Sequence, residues 1–277
     1  MFSIPHQSRH QGIRCPYIFI ISLFLFITQT SYAEKSSISL SVPDISSLFY
    51  HTPEQTGFAD EVLSLALKRI GYTLTLHSFP TERSLKMANT GVTDGELIRT
   101  QSIEKQYPNL IRVPENLASA EFMVFSRTPI NVSQGWQSLK GKSVGVIIGM
   151  KIIEQNLPAS ARKIEVRDIN SLFQLLINER ADCVVFAHML GENFLSKHAI
   201  DKVLINEPKL ASVPLFTYLN NNHIELVPQL AHALKTMKKD NSYQILANKH
   251  WQKHKAQCQK PHNSNAFTTQ QGIRFSP

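Results

Sequence analysis

The segment Leu139-Lys-Gly-Lys-Ser-Val-Gly-Val-Ile-Ile-Gly149 sits near the middle of a 277-residue chain and sets up a strand and a helix in quick succession. Lys140-Gly-Lys142 is a turn. Val144 to Ile148 is apolar without alternation, the signature of a strand buried on both faces of a parallel sheet. Gly149 ends it, and a helix opens near Lys151. The same order occurs upstream. Ile38, Leu40 and Val42 alternate with Ser as a half-buried strand. Phe58, Val62, Leu65 or Ala66, and Ile70 then fall at helical spacing, with Asp60 and Glu61 in the first turn and Gly71 as the stop. Tyr72, Leu74 and Leu76 alternate, a short helix covers Arg83 to Ala88, and Glu96-Leu-Ile98, Leu110 to Val113 and Glu121 to Phe125 are strands. Downstream, Ser171 to Asn178 is helical, Cys183 to Phe186 is a buried strand and Val213 to Tyr218 another strand. Ile224 to Lys239 and a segment carrying Ile245, Leu246 and Trp251 are helices. Strands alternating with helices make an α/β fold with mostly parallel sheets flanked by helices. The restart at Leu139 predicts a second lobe. The last strand and helices are too few for a third, so they return to the first, and the chain crosses between lobes twice.

The N-terminus addresses compartment. Arg9 and Arg14 precede the apolar run Tyr17 to Ile27, and Ser31-Tyr-Ala33 has the small-x-small pattern of a cleavage site. This is the pattern of a cleaved secretory signal, and the run is shorter than the ~20 apolar residues of a spanning helix. Residues 1–33 are expected to be removed and the rest exported. Lys plus Arg number 29 against 21 Asp plus Glu. The basic residues are dispersed, which gives nucleic-acid binding little support. Of the three Cys, Cys15 leaves with the signal, Cys183 lies in an apolar run and Cys258 in the polar tail. No Cys-x-x-Cys pair is present, so a structural zinc site has no basis, and no cofactor is expected.

Five segments together resemble the type II periplasmic solute-binding proteins, most closely the family 3, polar amino acid, binding proteins of ABC transporters. Gly57-Phe-Ala-Asp-Glu-Val62 resembles that family's opening of the first helix, and Gly91-Val-Thr-Asp94 its Gly-x-x-Asp. Leu139 to Gly149 is similar to its entry into the second lobe, Asn178-Glu-Arg-Ala-Asp182 to the approach to the next strand, and Tyr243 to Trp251 to its closing helix. The resemblance implies two lobes joined by a two-strand hinge: residues 34–126 with 214–255 as lobe one, 127–213 as lobe two, and 256–277 as a polar tail. It implies a monomer that captures a small-molecule ligand in the inter-lobe cleft and hands it to a membrane permease. A ligand sensor for a membrane signalling receptor would use the same trap. A periplasmic enzyme similar to cyclohexadienyl dehydratase is a third reading, with Glu96 as a candidate proton donor. Without a Gly-x-Ser-x-Gly elbow or paired-carboxylate spacing, a non-enzymatic role is preferred.

The resemblance also implies where a ligand would be held. Tyr50, after the first strand, stands where the family places an aromatic wall. Arg83 opens the second helix, and Arg99 ends the strand that empties into the cleft; either would clamp a carboxylate with paired hydrogen bonds. The family's Thr-x-x-Arg clamp is matched here only by Ser102-Ile-Glu-Lys105, and a Lys is not a bidentate fork. Lys151 adds charge at a helix start. After Cys183 to Phe186 the family's ammonium-binding Asp is replaced by Ala187, followed by His188. The expected set is Tyr50, Arg83, Arg99, Lys151 and His188; with Lys105, its members other than Tyr50 are basic or potentially basic, which points to an anionic or zwitterionic ligand such as an amino acid or organic acid.

Overall fold

The computed structural model describes residues 1–3, 36–44 and 49–258. The expected signal segment beyond residue 3 and most of the polar tail lie outside the described residues. Strand β1 (Ser37–Pro43) is followed by α1 (Phe58–Arg69), β2 (Thr73–Phe79), α2 (Thr81–Asn89), β3 (Gly95–Arg99), β4 (Leu110–Arg112) and β5 (Ala118–Ser126). The second series is β6 (Ser143–Ile147), α3 (Lys151–Asn156), β7 (Arg162–Val166), α4 (Ile169–Ile177), β8 (Cys183–Ala187) and α5 (His188–Lys197). Then β9 (Leu204–Asn220), α6 (Leu226–Lys239) and α7 (Ser242–Cys258) close the chain.

The strand order is β2-β1-β3-β9-β5-β8-β6-β7, with β4 also on β9. Each half of this curled sheet has a parallel centre: β1 with β2 and β3, and β6 with β7 and β8. Every residue of β3, β6 and β8 is buried; in β6 and β8 these are mostly apolar, as strands covered on both faces require, whereas β3 buries the charged Glu96 and Arg99 as a pair. The halves are joined by two antiparallel strands. The last residues of β9 pair with β3 and β4, and Leu204 to Leu215 pairs with β5. Phe122–Ser126 of β5 pairs in turn with β8. The crossing between lobes therefore lies within β5 and β9.

Both lobes use one polar device at the strand entries. Asp94 accepts from the Ser39 amide at 2.7 Å and hydroxyl at 2.9 Å; Asp182 accepts from the Ser143 amide at 2.7 Å and hydroxyl at 2.6 Å. Each ties the approach to one strand onto the start of its parallel neighbour. Apolar packing completes the lobes. Phe125 and Phe173 meet edge to face at 5.4 Å in the second, and Leu40, Leu63, Leu97, Leu230 and Leu234 of the first share a core cluster that extends to Val144 and Cys183 of the second. Helix α1 carries Asp60 and Glu61 in its first turn and Lys68 and Arg69 in its last, complementing its dipole. Helix α6 packs on α1, and α7 packs on α1, α6 and α5. Strand β7 and helix α5 add to the elements read from sequence, and β9 extends well upstream of Val213.

Candidate functional site

The carboxyl ends of β1, β3, β6 and β8 converge on a cavity of about 100 Å³ whose wall comes from both halves of the sheet. Val42, Ile98 and Phe122 line it from β1, β3 and β5; Met150, Ile152 and Leu190 line it from the second lobe. Of the expected residues, Tyr50, Arg99 and Lys151 are brought together on this wall. Arg83 is exposed instead and lies over the Phe79 ring at 5.5 Å. His188 is half-buried away from the wall, with Nδ1 3.9 Å from Glu121. Lys105 is exposed, and its neighbour Ile103 reaches the cavity.

The cations on the wall are already paired. Arg99 Nε donates to Glu96 at 2.6 Å, and its guanidinium also donates to the Thr81 carbonyl at 2.9 Å. Glu96 further accepts from the Ser84 hydroxyl at 2.7 Å. Burial pushes the Glu96 carboxyl above its ordinary range, although Arg99 and Ser84 pull the other way. Lys151 Nζ lies 2.7 Å from Glu82 and 2.9 Å from Glu154. Burial opposes its charge, yet these two carboxylates raise its pKa. Glu82 also accepts from the Tyr107 hydroxyl at 2.8 Å and Glu154 from the Gly149 amide at 2.7 Å. Two cations thus face three carboxylates, and the positive surplus expected from sequence is cancelled within the protein. Tyr50 is similarly committed: its hydroxyl donates to the Ser119 carbonyl at 2.9 Å, and burial raises its pKa.

The lobes touch beside the cavity. Lys151 to Glu82 is one link, and Gln155 Nε2 donating to the Ser102 carbonyl at 2.7 Å is another. Gly149 has φ +93°, and a Cβ there would lie 2.6 Å from the Glu82 nitrogen. Only glycine supports both that backbone and that approach.

His51 also lines the cavity, and sequence reasoning passed over it. Its Nδ1 is 2.8 Å from Asp60 Oδ1, and Asp60 Oδ2 accepts from the Thr52 and Gly57 amides at 3.1 and 2.9 Å. The signal was present in Phe49-Tyr-His51 followed by Gly57-Phe-Ala-Asp60, but the two segments meet only through the turn. Elsewhere, His250 and His254 stand one turn apart on α7 yet lie against different acids, Glu61 at 3.1 Å and Glu192 at 3.9 Å. Among the described residues no group of three or more His, Cys, Asp or Glu could hold a metal ion. Cys183 is a buried free thiol whose pKa burial pushes up to about 12.

No family model matches the chain. An uncharacterized protein of Shewanella oneidensis is 25% identical over 243 residues, covering 82% of this chain and 90% of the relative. Among solved structures, ArgBP of T. maritima superposes with a TM-score of 0.65 at 17% identity, covering 78% of this chain and 96% of that one. The GluR0 ligand-binding core of Nostoc punctiforme, in complex with L-glutamate, gives 0.63 at 17% identity, with 76% and 98% covered. A histidine kinase sensor domain with similarity to periplasmic binding proteins gives 0.65 at 15%, with 78% and 96% covered. The fold is that of the two-lobed binding proteins.

Proposed function

We propose that this chain is a periplasmic solute-binding protein that closes its two lobes on a small zwitterionic solute and delivers it to the permease of an ABC transporter. The observation that carries this reading is the cavity at the strand ends, walled by both lobes and flanked by the Lys151–Glu82 contact between them. Ligands of open α/β sheets bind outside the carboxyl ends of the strands, and a ligand gripped by both lobes shifts an open-to-closed equilibrium. The internal pairing of Arg99 and Lys151 favours a zwitterion over a net anion. Export with cleavage after Ala33 and a monomeric state belong to the same proposal. Mass spectrometry of the small molecule that co-purifies, followed by thermal-shift screening of amino acids, organic acids, polyamines and sugars, tests it. A true ligand raises the melting temperature because it binds the native state alone; no shift from any class overturns the reading. The likeness to a histidine kinase sensor domain supports a sensory role as a second reading. A neighbouring sensor kinase gene without permease and ATPase genes would favour it.

A further inference from the structure

We propose that His51 is a ligand-contacting residue: its Nε2 accepts a hydrogen bond from the ammonium of a solute whose enclosed part is a short aliphatic chain. The inference rests on the solute-binding reading and narrows its ligand class. It starts from how the ring is held. Asp60 takes two backbone amides on Oδ2 and faces His51 Nδ1 with Oδ1. A carboxylate so placed accepts from Nδ1–H, which in the neutral ring leaves Nε2 with the lone pair. His51 is only 7% exposed, and among the described residues Nε2 has no hydrogen-bond partner. On the cavity wall, such an acceptor is free to take a donor from a ligand.

The rest of the wall points to the same chemistry. The Tyr50 hydroxyl is donated to Ser119, and Arg99 and Lys151 are held by carboxylates of the chain. Ala187, where β8 reaches the cavity, brings no polar side chain. Around these groups Val42, Ile98, Phe122, Ile152, Leu190 and Leu215 give an apolar surface. A cavity of ~150 Å³ holds benzene, so one of about 100 Å³ encloses roughly four non-hydrogen atoms on that scale. A propyl or isopropyl group with its α-carbon fits.

The test compares matched pairs on the full mature protein: 2-aminobutyrate against butyrate, and valine against isovalerate, by calorimetry. A hydrogen bond to a charged donor corresponds to about 10- to 100-fold in affinity, so each amine should bind its site that much more tightly than its deaminated partner. His51→Phe should abolish the discrimination, and His51→Gln, which keeps an acceptor, should retain part of it. The ¹⁵N resonance of His51 Nε2 in the unmutated protein, assigned by its loss in His51→Gln, should move on adding valine. That reading decides the matter even if His51→Phe does not fold. Equal binding of amine and acid, discrimination that survives His51→Phe, or an Nε2 resonance indifferent to a bound amine overturns the inference. If only larger or charged solutes bind, the inference fails while the solute-binding reading stands; if no solute of any class binds, both fail.

Discussion

Gly57 shows how one residue sets the geometry of the wall. A Cβ there would lie 2.5 Å from the Tyr50 carbonyl oxygen and 2.6 Å from the His51 Cα, and the surroundings are backbone that has little freedom to yield. The turn is held by the Ala59 amide donating to the Tyr50 carbonyl at 2.9 Å and by the Phe58 amide donating to the Phe49 carbonyl. Overpacking of this sort costs about 1–3 kcal/mol, so Gly57→Ala should lower the melting temperature by roughly 2–12 °C for a domain of this size. It should also displace Tyr50 and His51 and weaken ligand binding. A variant that melts and binds like the parent would show that the turn gives way freely. The wall residues Tyr50, Arg99 and Lys151 were legible in sequence because each follows a recognisable strand end. Their charge partners were not. Arg99 and Glu96 stand three apart in β3, which in a regular strand places them on opposite faces. A register shift against β9 between Glu96 and Arg99 accompanies their meeting, and such irregularities carry no sequence signal strong enough to read.

Among the elements, the N-terminal turns of α2 and α3 confront each other across the cleft through Glu82, Lys151 and Glu154. Burial works against the Glu82 charge, but the Lys151 ammonium and the Tyr107 hydroxyl hold its carboxyl below the usual 4.5. A depressed carboxyl pKa stabilises the folded form above the unfolded value, and that stabilisation is lost as pH falls through the depressed one. Lys151 behaves in the opposite sense: its raised pKa contributes below 10.5 and is lost as pH rises through the folded value. The link should therefore be fully formed between about 4.5 and 10.5. Melting temperatures against pH should show the difference between parent and Glu82→Gln shrinking as pH falls below 4.5. A difference that stays constant through acid pH would mean that the ion pair adds nothing. The elements that sequence reasoning missed have physical reasons of their own. Strand β7 has only exposed and half-buried residues and offers no apolar run. Helix α5 begins directly after β8, at His188, with no turn residue between them. In β9, Glu207-Pro-Lys209 reads as a break, and the strand continues past it where the register against β5 slips between Phe122 and Val124.

For the molecule as a whole, the restarted pattern at Leu139 sufficed to predict two lobes, because buried parallel strands demand a second layered core. Whether the lobes meet was beyond sequence, since it depends on cross-lobe contacts around Gly149 and on the packing of α7 against α5. The two connecting strands are anchored firmly at the second-lobe end. The Asn206 side chain donates to the Val124 carbonyl at 3.1 Å and the Ser126 hydroxyl at 2.8 Å, and accepts from the Ile130 amide at 2.8 Å. Motion between lobes is then left to the segment of β5 and β9 beyond this anchor, the kind of double connection that serves as a hinge. Gly149 is the point at which such motion can be blocked. Its Cβ would strike the Glu82 backbone at 2.6 and 2.9 Å and Thr81 at 3.0 Å, contacts that exist only while the lobes are together. Gly149→Ala should leave the separate lobes folded, at a strain cost of about 1–3 kcal/mol from the positive φ, but wedge them apart. Small-angle X-ray scattering should show the parent contracting on adding its best ligand and the variant keeping the larger radius of gyration. Because affinity scales with the population of the binding-competent state, the variant should also bind at least about tenfold more weakly. A variant that contracts and binds like the parent would show that contact at Gly149 plays no part in ligand capture.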